Sequence, residues 1–240
     1  MSSKKRQQPG QARARGPSVF DTLISDRQSP PPPLLESHYE FLCDEDISFD
    51  RYTSEAFFQR EMELMWPRTW QWACREEHVP DVGDTYVYDI GPYSVIVVRS
   101  ADETIEAFLN SCTHRGTRLL AGEGSGYSPA FTCPFHGWSW TLDGSIRDIP
   151  ARWDFPHVCH ETHDLQRVSC ERWGGFVFVN IDIDAKPLLD YLDVLPEHFK
   201  HFPLDRRRIK LHVQKILPAN WKAAQEAFIE AYHNFETHDS

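Results

Sequence analysis

The sequence predicts an α+β protein: a small all-β block, then a segment of mixed helix and strand. Two observations predict it. Between Asp84 and Ile181, short runs rich in β-branched and aromatic residues alternate with turn signals. Either side of that block the texture changes to helical spacing, with cap residues ahead of each helical stretch.

Taken in order, residues 1–36 read as a disordered, basic and Pro-rich tail, because Gln, Gly, Pro and Ser dominate it and the run Pro30 to Pro33 favours extended polyproline. Residues 37–82 read as an N-terminal helical segment. There Thr53 or Ser54 caps a helix to about Trp66; Phe57, Met62, Met65 and Trp66 give it an apolar side, and Pro67 follows its end. Residues 83–182 form the β block. Strands are expected at Thr85–Ile90, Tyr93–Val98, Ile105–Leu109, Phe131–Cys133, Ser139–Thr141 and Gly175–Ile181, with hairpin turns at Gly91-Pro92 and Asp143-Gly144. Short strands at this spacing suggest a sandwich or barrel. Residues 183–240 mix both kinds of element. A helix over Pro187–Phe202 should break at Pro196, Ile209–Ile216 should be a strand, and Asn220 should cap a helix from Trp221 to about His233.

Composition narrows the function. Hydrophobic residues are 40% and charged residues 25% of the chain, as in globular proteins. No apolar run is long enough to cross a bilayer, and the basic N-terminus lacks the apolar stretch of a secretory signal, so a cytoplasmic protein with no membrane association is expected. The net charge is −11, although residues 1–15 carry five basic residues and no acid. The remainder is therefore strongly acidic, which argues against nucleic acid as a partner. Of six cysteines, Cys112 and Cys133 alone fall in a pattern, and each pairs with histidine, which suggests metal ligation in a reducing compartment.

Cys112-Thr-His114 precedes Cys133-Pro-Phe-His136 by eighteen intervening residues. Each half offers one thiolate and one imidazole from a tight loop. Such a set fits a two-iron cluster in which one iron takes both thiolates and the other both imidazoles. Zinc is the competitor, since two Cys and two His also make a tetrahedral site, though zinc spacings usually pair like with like.

The stretches Cys112-Thr-His-Arg-Gly-Thr-Arg-Leu-Leu and Cys133-Pro-Phe-His-Gly-Trp-Ser-Trp closely resemble the cluster-binding loops of Rieske proteins. The gap between them is one residue longer than usual in that family, consistent with a longer turn around Gly122–Gly126. The resemblance implies a [2Fe-2S] cluster on Cys112, His114, Cys133 and His136. Respiratory Rieske proteins add a cysteine to each loop and a serine after the second loop's glycine. Here both cysteines are missing and Trp138 stands in the serine's place, which implies a reduction potential low in the Rieske range.

A second motif lies in Asn220–His238. At about 100° per residue, Glu226, Glu230 and His233 fall on one stripe of a helix. Trp221, Phe228, Ile229 and Tyr232 flank it on one side and four alanines on the other, so the helix should be largely buried. This stretch resembles the mononuclear-iron helix of Rieske ring-hydroxylating oxygenases, the α subunits of which join a Rieske-type all-β cluster domain to a helix-grip catalytic domain. The resemblance spans roughly residues 50–240. It implies His233 and His238 as ligands of an Fe2+ ion in a 2-His-1-carboxylate triad. Glu230 would be the acid bridging that site to a cluster histidine, here His136, of a neighbouring subunit in a homotrimer. It implies NAD(P)H as the indirect electron source through a reductase, with or without a ferredoxin. The reaction implied is oxidation of a small organic substrate by O2, through hydroxylation or dealkylation.

In that family the triad carboxylate lies far beyond this helix, and Glu236 and Asp239 are poor substitutes for it. The expectation is a truncated catalytic domain that holds the cluster but does not complete an oxygenase cycle, with apolar surface uncovered around Trp221 and Phe228. The alternative is a Rieske ferredoxin-type carrier without catalytic iron, for which Glu226, Glu230, His233 and His238 would have no use. His157, Cys159, His160 and His163 read as surface residues, Cys43, Cys74 and Cys170 as small packed side chains, and Arg206-Arg207-Arg208 as a solvated turn.

Overall fold

The computed structural model describes residue 17 and residues 19–35, 45–230 and 233–237. The chain divides into two units, residues 1–47 with 192–203, and residues 48–191 with 204–240. The α+β class expected from the sequence is the class observed.

Among the described residues, the larger unit is built on ten strands. These are β1 (Gln71–Arg75), β2 (Asp84–Ile90), β3 (Tyr93–Ala101), β4 (Thr104–Leu109), β5 (Gly124–Tyr127), β6 (Phe131–Thr132), β7 (Ser139–Trp140), β8 (Ile146–Asp148), β9 (Arg167–Trp173) and β10 (Phe176–Asn180). Seven form one antiparallel sheet in the order β1-β10-β9-β4-β3-β2-β5, and β6-β7-β8 form a second, smaller one. The apolar run in β3 explains the layering. Val95, Ile96, Val97 and Val98 are all fully buried, and alternate residues point to opposite faces. Ile96 and Val98 join Phe108, Phe131, Trp138, Trp140 and the thiols of Cys112 and Cys133 in one core. Val95 and Val97 join Cys74, Val79, Val177 and Val179 in the other. A stretch buried on both faces is apolar at every position, as Val95–Val98 is.

Gly91-Pro92 closes the β2–β3 hairpin, with Gly91 at φ +54°. Gly144, at φ +83°, lies so close to Phe108 that a Cβ there would sit 2.4 Å from Cε1.

Helices number α1 (Val19–Ile24), α2 (Pro32–Leu35), α3 (Asp50–Thr53), α4 (Glu55–Leu64), α5 (His160–His163), α6 (Leu188–Leu192), α7 (Leu195–His198), α8 (Trp221–Ile229) and α9 (Asn234–Thr237). Ser54 caps α4, its side chain accepting from Phe57 N–H.

Several expectations need correction. The tail is not wholly irregular: Val19–Ile24 is helical, and Pro32 and Pro33 open the turn of α2 instead of extending as polyproline, while residues 1–16, 18 and 36–44 lie outside the described residues. The segment read as helical contributes β1 to the main sheet. The presumed turn at Gly122–Gly126 contains β5, paired with β2. The break in the helix over Pro187–Phe202 falls at Asp193, at φ +51°, and Pro196 sits in the first turn of α7, where its missing N–H costs nothing. Ile209–Ile216 forms no strand and is exposed throughout, because no neighbouring strand pairs its backbone among the described residues. The C-terminal helix ends at Ile229, where Glu230 turns extended at φ −114° and ψ 149°. Glu226, Glu230 and His233 therefore do not share one helical stripe.

Candidate metal centre

Two loops present the Cys and His pairs, and they fold alike. The first leaves β4. Its Cys112 N–H donates to Thr117 O (2.8 Å) and Gly116 N–H to Cys112 O (2.8 Å). The second joins β6 to β7. Its Cys133 N–H donates to Trp138 O (2.8 Å) and Gly137 N–H to Cys133 O (3.0 Å). The turn needs a left-handed residue four positions after each cysteine. Gly116 (φ +74°) and Gly137 (φ +75°) supply it, which explains the glycine in both motifs.

This shared turn brings the four side chains together in pairs. The thiols of Cys112 and Cys133 are both buried and close enough for each to shift the ionisation of the other. The rings of His114 and His136 lie with centroids 4.9 Å apart at 62°. His114 is half-buried against Trp138, stacked at 4.6 Å and 5°, whereas His136 is exposed beside the exposed ring of Phe135. Among the described residues no group of three or more His, Cys, Asp and Glu side chains gathers around one ion-sized position. Donors sorted two and two suit a pair of metals better than the single point a tetrahedral zinc requires.

The electrostatics favour ligation at Cys133 and His114. Burial works to raise the Cys133 thiol, but N–H groups of His136 and Phe135 outweigh it and hold the thiol below its ordinary value. At Cys112 burial prevails over the N–H groups of His114 and Arg115, and its thiol is raised. Burial, and then the neighbouring His136, lower His114 and keep its imidazole neutral, the form that binds metal. Nδ1 of His114 is buried with no hydrogen-bond partner. Such an atom costs about 1–3 kcal/mol when left unmade, a cost a metal bond would remove. The residues present therefore fit a two-metal group.

The segment around α5, expected to be plain surface, packs against this site. The His163 carbonyl accepts from Thr113 Oγ1 (2.9 Å) and Trp140 Nε1 (2.9 Å), and the His163 ring lies 5.9 Å from that of Trp138. Phe155 meets both His114 and Trp138 edge-on. Spacing alone gave no sign of this, because the contacts are long-range.

A profile of the Rieske [2Fe-2S] domain matches residues 69–159, the span that carries both loops. The biphenyl 2,3-dioxygenase α subunit of Rhodococcus jostii is 34% identical over 189 residues, 76% of this chain and 41% of that protein. The carnitine monooxygenase oxygenase subunit of Escherichia coli is 30% identical over 184 residues, 76% of this chain and 49% of that protein. The chain belongs to the Rieske oxygenase α-subunit family. A solved quaternary ammonium Rieske monooxygenase superposes with a TM-score of 0.72 at 27% identity, covering 79% of this chain and 53% of that one. The chain thus spans about half or less of the length of these Rieske oxygenase relatives and corresponds to their N-terminal region.

The second motif is only partly in view. Tyr52 OH donates to both carboxylate oxygens of Glu226 (3.0 and 2.9 Å), Glu230 pairs with His233 Nδ1, and His238 lies outside the described residues. The residue binding α8 most firmly was not anticipated. It is Lys222, buried against Glu61 with Nζ 2.8 Å from each oxygen. A lysine in an apolar helix was the available signal. No helix among the described residues is long and apolar enough to cross a membrane.

Proposed function

We propose that Cys112, His114, Cys133 and His136 hold the [2Fe-2S] cluster, the two thiolates on one iron and the two imidazoles on the other, and that the protein relays single electrons within an oxygenase. The observation that carries this reading is the buried Nδ1 of His114, which has no hydrogen-bond partner, on a ring 4.9 Å from that of His136. The cluster would supply one-electron storage. The chain's own contributions are to hold the thiols with backbone N–H groups, to shield one histidine under Trp138, and to leave His136 at the surface as the point of electron exit.

In this reading residues 83–182, completed by β1, form the cluster domain, and residues 183–240 begin a catalytic domain, preceded by the tail (1–36) and N-terminal segment (37–82). His233 and His238 would be ligands of a mononuclear Fe2+, which supplies dioxygen activation when bound, and Glu230 would link that site to His136 of a neighbouring subunit in a homotrimer. The close Glu230–His233 pair is compatible with an acid that orients a ligating imidazole. Electrons would come from NAD(P)H through a reductase, with or without a ferredoxin, and the substrate would be a small organic molecule that is hydroxylated or dealkylated. The similarity to oxygenase subunits covers 76% of the chain, well beyond the cluster-binding span, which supports this reading over a ferredoxin-type carrier.

Iron, zinc and acid-labile sulfide in anaerobically purified protein, with EPR after reduction, test the proposal. Two irons and two sulfides per chain with a Rieske signal are expected. Zinc without sulfide overturns it. A third iron that disappears in His233→Ala would support the mononuclear site.

A further inference from the structure

The two cluster loops are fastened differently. The second is a hairpin loop, closed by the β6–β7 pairing of Thr132 with Ser139. The first has no such ladder: it leaves β4 and leads to β5, and β5 pairs with β2. One side chain closes it instead. Asn110, 4% exposed, follows the end of β4 two residues before Cys112. Its Oδ1 accepts from the N–H groups of Leu119 (3.0 Å) and Leu120 (2.9 Å), and its Nδ2 donates to Leu120 O (2.8 Å) and Ser94 Oγ (3.1 Å). All four hydrogen bonds open to an amide are therefore made, and three tie the far end of the loop to its beginning.

The contacts continue into a ring. Ser94, which accepts from Asn110, faces Asp89 across the β2–β3 pair, and its hydroxyl helps to hold that carboxyl below its ordinary value. Arg118 Nη2 donates to both oxygens of Asp89 (2.7 and 2.6 Å), and its Nε donates to Leu120 O (3.0 Å), the carbonyl that Asn110 also holds.

We infer that this Asp89–Ser94–Asn110–Arg118 ring is the fastener that positions the Cys112/His114 loop for the cluster, with Asn110 as its central positioning residue. The inference rests on the cluster reading above. Its physical basis is that an unladdered loop carrying two ligands must be fixed before they can bind in register, and a buried amide with all its hydrogen bonds made provides that rigidity.

The test compares wild type with Asn110→Leu, Asn110→Asp and Ser94→Ala in the full chain. Two readouts are needed: the rate of cluster loss to an iron chelator, and amide hydrogen exchange at Leu119 and Leu120 with far-UV circular dichroism as the fold control. Asn110→Leu is expected to raise both rates at least about tenfold, as expected when several buried bonds are lost, with the circular dichroism unchanged. Asn110→Asp keeps the acceptor and the shape but not the donors and should fall between, as should Ser94→Ala. If Asn110→Leu does not fold, Asn110→Asp alone must raise both rates for the inference to stand. Unchanged exchange at Leu119 and Leu120, or unchanged cluster loss despite faster exchange, overturns it. Absence of sulfide in the wild type would instead refute the cluster reading, and the exchange rates would still decide whether the ring holds the loop.

Discussion

Replacing Lys222 with Met probes how α8 is held. Lys222 is the buried residue of that helix, 4% exposed, and its ammonium meets both oxygens of Glu61, 8% exposed. Removing one partner of a buried pair leaves an uncompensated charge and costs about 3–5 kcal/mol. Met preserves most of the stem volume, so little cavity cost adds. The Trp221 Nε1 bond to Glu61, at 3.3 Å, remains and offsets about 1 kcal/mol. The expected loss is about 2–4 kcal/mol. Because no other side chain of α8 is buried, undocking of the helix can cap the loss. Urea denaturation should therefore be paired with near-ultraviolet circular dichroism, which reports the edge-on Trp66–Trp221 contact at 5.0 Å. Lys222→Met should lower the midpoint or abolish that signal. The double change Glu61→Leu with Lys222→Met should return to within about 1 kcal/mol of wild type, since an apolar replacement removes both desolvated charges. A single variant unchanged in both measurements, or a double variant worse than the single, would refute the reasoning.

Three further outcomes follow from the packing and charge. Gly144→Ala should cost about 2–5 kcal/mol in thermal or chemical denaturation, since it combines a left-handed backbone with a Cβ driven into Phe108. Burial works to raise the Asp89 carboxyl, but hydrogen bonds from Arg118 and Ser94 outweigh it and hold it below the ordinary value. Its folded value being depressed, its stabilisation is complete above the unfolded value near about 4 and is lost as pH falls through the lower folded value. The stability difference between wild type and Asp89→Asn should thus be flat from about pH 8 to 5, shrink below about pH 4, and diminish with salt because Arg118 is 43% exposed. Burial pushes the Cys74 thiol far up and leaves it 3% exposed, so iodoacetamide at about pH 8 should spare Cys74 in native protein and modify it once the protein is unfolded, read by mass spectrometry.

The cluster loops were legible in the sequence because their chemistry is local. Cys112, His114 and Gly116, then Cys133, His136 and Gly137, fix two identical turns through a backbone that only glycine adopts cheaply, and the thiol and imidazole types declare a metal. The strand expected at Tyr93–Val98 was equally local, a β-rich run after the Gly91-Pro92 turn. What holds those loops in place was not legible. His163 reads as surface, and no motif marks Asn110 or Lys222. Their roles arise from partners nine to more than a hundred residues away, which no spacing rule reaches. The same reason explains the failure of the strand expected at Ile209–Ile216, which finds no pairing partner among the described residues. Sequence periodicity specifies which faces a segment offers, whereas only the tertiary structure decides which of them is covered, because hydrogen bonds and burial require a partner in space.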